Sequence, residues 1–185
     1  MKLAVIDLDG VIADPAERFK RAEEAKQVFL QEAEARFETV LHEGTTNKQA
    51  SDLYWRTVFT PELVNLDTLM PDVNHNLVWL YQQQYKVIFL TSRPEHMRGA
   101  TEEWLSGHVV STPGVEDILV MKPPAAQYVK TVMWKALTIQ MLIALYGAEE
   151  ALIVDDELAN LQELQKYDVS RMRLCRSLAE AIAPI

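Results

Sequence analysis

Short apolar runs alternate with amphipathic stretches along most of this chain. The apolar runs cover residues 2–7, 87–90, 117–121, 152–154 and 172–175. Apolar runs of this length, bounded by polar segments, are typical of buried strands. Strands that alternate with helical patterns favour a parallel sheet covered by helices on both faces. The pattern therefore predicts an α/β fold.

Helical periodicity fills the intervals between these runs. Helices are predicted over residues 72–84, 95–106, 125–146 and 158–167, and from residue 177 onward. We expect Gly147 to end the third of these helices in a left-handed conformation, because glycine has no Cβ to oppose it. Ser177 and Glu180 have the spacing of a capping box and predict the start of the last helix.

The interval between the first two strands is much longer than the others. It holds about 75 residues, whereas a crossover between parallel strands needs only about a dozen. One amphipathic helix is predicted over residues 15–41, ending at Gly44, and a second over residues 48–59 after an Asn47 cap. Helices at this place could form a lid that excludes water, extend the core or form a dimer interface. The sequence leaves all three open.

Polar residues follow three of the predicted strands at the point where each strand ends. They are Asp7 and Asp9, then Thr91, Ser92 and Arg93, and finally Asp155 and Asp156. Ligands of parallel α/β sheets bind just outside the carboxyl ends of the strands. Grouped carboxylates there suit Mg²⁺, and hydroxyls beside a guanidinium suit a phosphate group. Each residue is also an ordinary helix cap or turn former, so the prediction depends on their joint occurrence.

Composition and charge narrow the class of protein. The chain has 185 residues, 49% of them apolar, with a mean hydropathy of −0.08, as expected for a globular protein. The net charge of −9 argues against general coating of nucleic acid, which needs an excess of Lys and Arg. We expect no membrane association and a cytoplasmic location. The single cysteine, Cys175, excludes internal disulfides and is expected to be buried in a strand.

Four motifs resemble those of the haloacid dehalogenase superfamily, whose phosphohydrolases use an aspartate nucleophile. The first motif is similar to residues 7–11 (DLDGV), the second to residues 90–92 (LTS) and the fourth to residues 153–156 (IVDD). The third is a lysine near the start of a later helix. The resemblance implies a Rossmann-like, three-layer parallel sheet with strand order 3-2-1-4-5 and a small helical cap inserted after the first motif.

The same resemblance implies domain boundaries and a mechanism. The core domain would comprise residues 1–13 and 71–185, and the cap residues 14–70. Asp7 would attack phosphorus to form an aspartyl-phosphate, and Asp9 would protonate the leaving oxygen and then deprotonate water. Dehalogenase members lack the second aspartate, so Asp9 points to phosphoryl transfer.

The resemblance also implies the ligands of the cofactor and the phosphate. Mg²⁺ would be held by Asp7, Asp155 and the backbone carbonyl of Asp9, with Asp156 in support. Thr91 would hydrogen-bond a phosphoryl oxygen.

Three lysines, Lys122, Lys130 and Lys135, follow the third predicted strand, and a closer resemblance selects among them. The phosphatase domain of polynucleotide kinases, which removes 3′-phosphates, is similar to residues 90–94 (LTSRP), Arg98, Thr101, Trp104, Leu105, residues 119–123 (LVMKP), Lys130 and Trp134. This resemblance implies Lys130 as the catalytic lysine. It also implies substrate binding by Arg18 and Arg93, and we assign Ser92 to the same role.

Two features of the chain depart from that subfamily. Ala126 stands where an acidic residue commonly precedes the lysine, and no phosphate-binding loop of a kinase occurs in the chain. The sequence therefore predicts a Mg²⁺-dependent phosphomonoester hydrolase acting on a nucleotide or on a nucleic-acid 3′-phosphate end. The alternatives are a phosphatase for another small phosphorylated metabolite and a non-catalytic binding protein on the same fold. The oligomeric state is not predicted.

Overall fold

A parallel sheet of five strands organises the computed structural model, which describes residues 1–36, 43–111, 117–167 and 170–183. The strands are β1 (Lys2–Ile6), β2 (Ala13–Asp14), β3 (Thr68–Leu69), β4 (Tyr85–Pro94), β5 (Ile118–Lys122), β6 (Glu150–Val154) and β7 (Met172–Cys175). The main sheet has the order β5-β4-β1-β6-β7. The two short strands, β2 and β3, pair with each other in a separate antiparallel sheet. The predicted α/β fold with a parallel sheet is confirmed.

The central strand, β1, lies between β4 and β6. Ile6 is in register with Phe89 on one side and Val154 on the other. Residues that follow β1 therefore emerge beside those that follow β4 and β6. This register places the polar residues at the three strand ends near one another.

Helices cover both faces of the sheet. They are α1 (Ala16–Arg36), α2 (Glu43–Val58), α3 (Val73–Gln82), α4 (Arg98–His108), α5 (Thr131–Tyr146), α6 (Leu158–Leu164) and α7 (Leu178–Ile182). Ile6 of β1 belongs to the apolar cluster with α3, α4 and α7, whereas Val5 belongs to the cluster with α5 and α6. Neighbouring residues of a strand point to opposite faces, so β1 is buried on both sides. No helix in the described residues is long and apolar enough to cross a membrane.

Two helix starts differ by five residues or more from the sequence prediction. Asn47 lies inside α2, which begins at Glu43, so the predicted cap at Asn47 is wrong. A 3₁₀ turn, Pro124–Ala126, occupies the predicted start of the next helix, and α5 begins only at Thr131. The residue before a proline is disfavoured in the helical region, and Pro123 is indeed extended. By contrast, Gly147 ends α5 with φ of 56°, as predicted.

The long interval between β1 and β4 contains α1 and α2, which pack against each other. The predicted end of the first of these helices, residues 37–41, lies outside the described residues. After α2 the chain forms a 3₁₀ turn, Pro61–Leu66, that contacts α4 and buries Val64 in the core. The inserted segment is thus anchored to the sheet domain where it returns.

Candidate functional site

Three aspartates meet at the carboxyl ends of β1 and β6. One carboxylate oxygen each from Asp7, Asp155 and Asp156 lies within 4.8 Å of the others. Backbone pairing of the sheet continues into this site, because the Asp7 N–H donates to the Val154 carbonyl at 2.9 Å. Asp7 and Asp155 are buried, and Asp156 is partly exposed. The structure thus brings together three of the four aspartates that the sequence suggested as metal ligands.

A buried lysine compensates part of this negative charge. The Lys135 Nζ lies 2.6 Å from Asp7 Oδ2 and 2.8 Å from Asp155 Oδ2. Asn160 donates to both oxygens of Asp155, at 2.8 and 3.0 Å, and fixes that carboxylate. Burial raises the pKa of Asp7 to about 7, an effect that Lys135 opposes and Asp155 reinforces. Burial alone would lower the pKa of Lys135, but the two carboxylates raise it more, so the ammonium form is favoured.

Lys135, and not Lys130, is the lysine in contact with the aspartates. Lys130 is exposed at the N-cap of α5, and Lys122 donates to the Val129 carbonyl at 2.7 Å. Because α5 begins six residues later than predicted, Lys135 falls in its second turn and points into the site. The lysine chosen from the sequence, Lys130, is thus placed outside the carboxylate cluster.

The donor set fits a hard divalent cation. Among the residues that the structure describes, three carboxylates lie together and one ammonium group, that of Lys135, contacts two of them, so oxygen ligands of the kind that Mg²⁺ prefers predominate. Gly10 has φ of +84°, and a Cβ on it would lie 2.3 Å from Asp156 Oδ2. The glycine therefore allows the Asp156 carboxylate to approach the loop that carries Asp7.

Asp9 is bound by two buried arginines. Its Oδ1 lies 2.5 Å from Nη2 of Arg18 and 2.5 Å from Nη2 of Arg93. Burial raises the pKa of Asp9, but the Arg93 and Arg18 guanidiniums lower it more, so the net shift is downward. Both arginine side chains are fully buried, at 0% exposure. Both residues were expected to bind substrate; the structure places their guanidiniums on Asp9.

Asp67 completes this network and was not suggested by the sequence. It lies 2.8 Å from Arg18 Nε and 2.7 Å from Arg93 Nη2, with no exposed side-chain surface. Its backbone carbonyl also accepts from Trp104 Nε1 at 3.0 Å. The sequence gives no signal for Asp67, because it is a single aspartate in a turn and belongs to no motif. Only the fold brings it next to Arg18 and Arg93.

The two hydroxyl residues after β4 have different environments. Thr91 is fully buried, and its Oγ1 accepts from the backbone N–H of Arg93 at 3.2 Å. Ser92 is partly exposed and lines the cavity above the aspartates together with Asp7, Asp9 and Lys135. Ser92 is thus placed to reach a ligand in that cavity.

The site opens into a cavity of about 580 Å³. Its lining includes the polar residues Asp7, Lys135 and Asp156 and the aromatic residues Phe19 and Trp55 of the inserted helices. A lining that combines apolar side chains with a few polar groups is typical of a ligand site in which the polar groups fix orientation.

No protein-family model matches the chain, and no curated protein is significantly similar to it in sequence. Solved structures are similar in fold. A haloacid dehalogenase-like family hydrolase from Streptococcus pneumoniae is 15% identical, with a TM-score of 0.65 over 97% of this chain and 96% of that chain. A phosphoserine phosphatase is 12% identical, with a TM-score of 0.57 over 98% and 97% of the two chains. A dehalogenase is 13% identical, with a TM-score of 0.56 over 98% and 95%. The chain therefore has the fold of haloacid dehalogenase-like hydrolases.

Proposed function

We propose that this protein is a Mg²⁺-dependent phosphomonoesterase that works through an aspartyl-phosphate on Asp7. The observation that supports this most strongly is the arrangement around Asp7. A buried carboxylate faces two further aspartates and lies 2.6 Å from a buried ammonium group, at the carboxyl edge of a parallel sheet. The phosphoserine phosphatase of similar fold is consistent with phosphoryl chemistry on this scaffold.

The cation would be held by Asp7, Asp155, Asp156 and the backbone carbonyl of Asp9. When bound, Mg²⁺ supplies positive charge that lowers repulsion between the Asp7 carboxylate and a phosphoryl group. Lys135 supplies a second positive charge on the same carboxylates and is the catalytic lysine of this proposal.

The side chains would then carry out two displacements. An oxygen of Asp7 attacks phosphorus, the ester P–O bond breaks, and the leaving oxygen takes a proton from Asp9. Asp9 next removes a proton from water, whose oxygen attacks phosphorus and releases inorganic phosphate and free Asp7. The two arginines favour the carboxylate form of Asp9, which suits the second step and opposes the first. The proton that the leaving oxygen takes would therefore reach Asp9 from the monoanionic form of the phosphomonoester. Thr91 and Ser92 would orient the phosphoryl oxygens.

Residues 14–70 would act as a cap on a core of residues 1–13 and 71–185. Support comes from Phe19 and Trp55, which lie in this segment and line the same cavity as the aspartates. The substrate would be a nucleotide in preference to a nucleic-acid 3′ end, because a net charge of −9 repels a polyanion more than a single phosphomonoester. Another small phosphorylated metabolite is the second candidate.

Phosphate release by the purified chain tests the proposal. The panel holds 3′- and 5′-nucleoside monophosphates, a 3′-phosphorylated oligonucleotide and sugar phosphates, each with Mg²⁺ and with a chelator. We expect Mg²⁺-dependent turnover that Asp7→Asn lowers by about 10³-fold or more, because the variant lacks the nucleophile. Asp72→Asn makes the same chemical change at an exposed position and is expected to retain full activity. Unchanged turnover in Asp7→Asn would disprove the mechanism.

A further inference from the structure

A second cavity adjoins the one above the aspartates. It has a volume of about 570 Å³, within the range of small-molecule sites. Trp55, Phe59, Ser92 and Thr131 line both cavities, so the second lies directly beside the one that contains the aspartates. A group attached to a phosphate above Asp7 could therefore extend into it.

The shared wall presents an aromatic surface. Trp55 stacks on Phe59 with ring centroids 5.6 Å apart and an angle of 22° between the planes. Trp55 is nevertheless 50% exposed, although its helix packs against α1. The Phe59 carbonyl lies 2.9 Å from His96 Nε2, which links this wall to the sheet domain. The indole is thus held in place while much of its surface stays open to a ligand.

Much of the rest of the lining is uncharged, and Glu95 and Lys122 in it have partners within the protein. The lining includes three prolines, Pro94, Pro123 and Pro124. Glu95 is paired with Arg98 at 2.5 Å, and the Lys122 ammonium donates to a backbone carbonyl. Apolar walls beside an aromatic face suit an uncharged planar ring, which stacks without needing a charged partner.

We infer that this second cavity binds the nucleobase of a nucleoside monophosphate, with Trp55 as the stacking residue. The inference rests on the proposed function, because it assumes that the phosphate lies above Asp7. The inference goes further than that function because it gives the base of the released nucleoside a defined binding site. Trp55 is then a specificity-determining residue for the reaction.

Kinetics with two matched substrates test the assignment. AMP and ribose 5-phosphate carry the same phosphate on the same ribose carbon, but only AMP has a base. We expect kcat/KM to be about 5- to 150-fold higher for AMP, because base stacking on an aromatic side chain is worth about 1–3 kcal/mol. Trp55→Ala should lower the ratio of kcat/KM for AMP to kcat/KM for ribose 5-phosphate about tenfold, mainly by raising KM for AMP. Trp55→Phe should restore part of this ratio.

Tyr128→Ala is the matched control. Tyr128 is 91% exposed and lines a neighbouring surface depression with Trp55, but not the second cavity. Its removal should leave the ratio unchanged. An unchanged ratio in Trp55→Ala, or an equal loss in Tyr128→Ala, overturns the assignment. If sugar phosphates are hydrolysed and AMP is not, the base site is refuted while the phosphatase proposal stands.

A binding measurement keeps the inference testable even if no phosphomonoester is hydrolysed. Adenosine binding to the Asp7→Asn protein, followed by calorimetry, needs no turnover. We expect binding that is lost when Trp55→Ala is added. Absence of adenosine binding would refute the base site, whereas binding without turnover in the wild-type protein would refute only the phosphatase proposal.

Discussion

Lys135 is the residue whose position most affects the chemistry proposed for this site. Its side chain is 4% exposed, and its ammonium group contacts both Asp7 and Asp155. Without it, two buried carboxylates would face each other with no cation, and burial disfavours such a charged pair. Lys130, five residues earlier, is exposed and provides a control for the same substitution.

Lys135→Met should therefore lower kcat by about 10²-fold or more, the usual cost of removing one group that stabilises transition-state charge. Lys130→Met should stay within about twofold of the wild-type protein, because the side chain is exposed. Both variants are assayed at saturating substrate, with circular dichroism to confirm folding. If Lys130→Met lowers kcat as much as Lys135→Met does, Lys135 is not the sole lysine needed for the reaction, and the assignment of Lys130 from the sequence regains support.

Among the structural elements, the inserted helices are tied to the sheet domain by buried charges. Arg18, near the start of α1, contacts Asp9 after β1 and Asp67 on the returning chain. Its Nη1 also donates to the Val58 carbonyl at the end of α2, at 3.1 Å. Arg93, at the end of β4, shares both aspartates. One network therefore orients Asp9 and holds both ends of the insertion.

Asp67→Asn should destabilise the protein by about 3 kcal/mol or more, because it leaves two buried guanidiniums short of a counter-charge. Glu17→Gln, on the same helix α1, removes exposed ion pairs with Lys20 and Arg21 and should cost no more than about 0.5 kcal/mol. Urea unfolding measures both values. Equal, small losses in the two variants would show that the buried network contributes little to stability.

At the scale of the whole molecule, the negative charge of the chain includes a local cluster of carboxylates. The chain carries a net charge of −9, and three of its carboxylates are concentrated at one edge of the sheet. A cation that binds only the folded protein stabilises it in proportion to the logarithm of its concentration. The carboxylate cluster should thus make global stability depend on divalent cations, whether or not any substrate is turned over.

Mg²⁺ at about 100 times its Kd should raise the free energy of unfolding by about 2.7 kcal/mol, and a chelator should reverse this. Asp156→Asn should lose most of the gain, because it removes one ligand from the cluster. Glu62→Gln, an exposed acid on the 3₁₀ turn, should keep it. Stabilisation of the same size in Asp156→Asn would mean that the cation binds elsewhere.

Much of the fold and part of the site could be predicted because they depend on local sequence. Each predicted strand is present, since short apolar runs specify buried strands almost by themselves. Asp7, Asp155 and Asp156 come together because each directly follows a parallel strand, and such strands end at one edge. Gly147 caps α5 and the Ser177 Oγ accepts from the Glu180 N–H, both of which are local events.

The remaining features of the site were decided by contacts between distant segments. Sequence spacing offered three lysines, and only the delayed start of α5 showed that Lys135 reaches Asp7. Arg18 and Arg93 were suggested from the sequence, but their partner Asp67 comes from the returning end of the insertion. Periodicity reports which face of an element is apolar, whereas the pairing of buried charges depends on how elements pack in three dimensions. The sequence by itself therefore determined the sheet and the carboxylates at its edge, and the tertiary structure decided which cations accompany them.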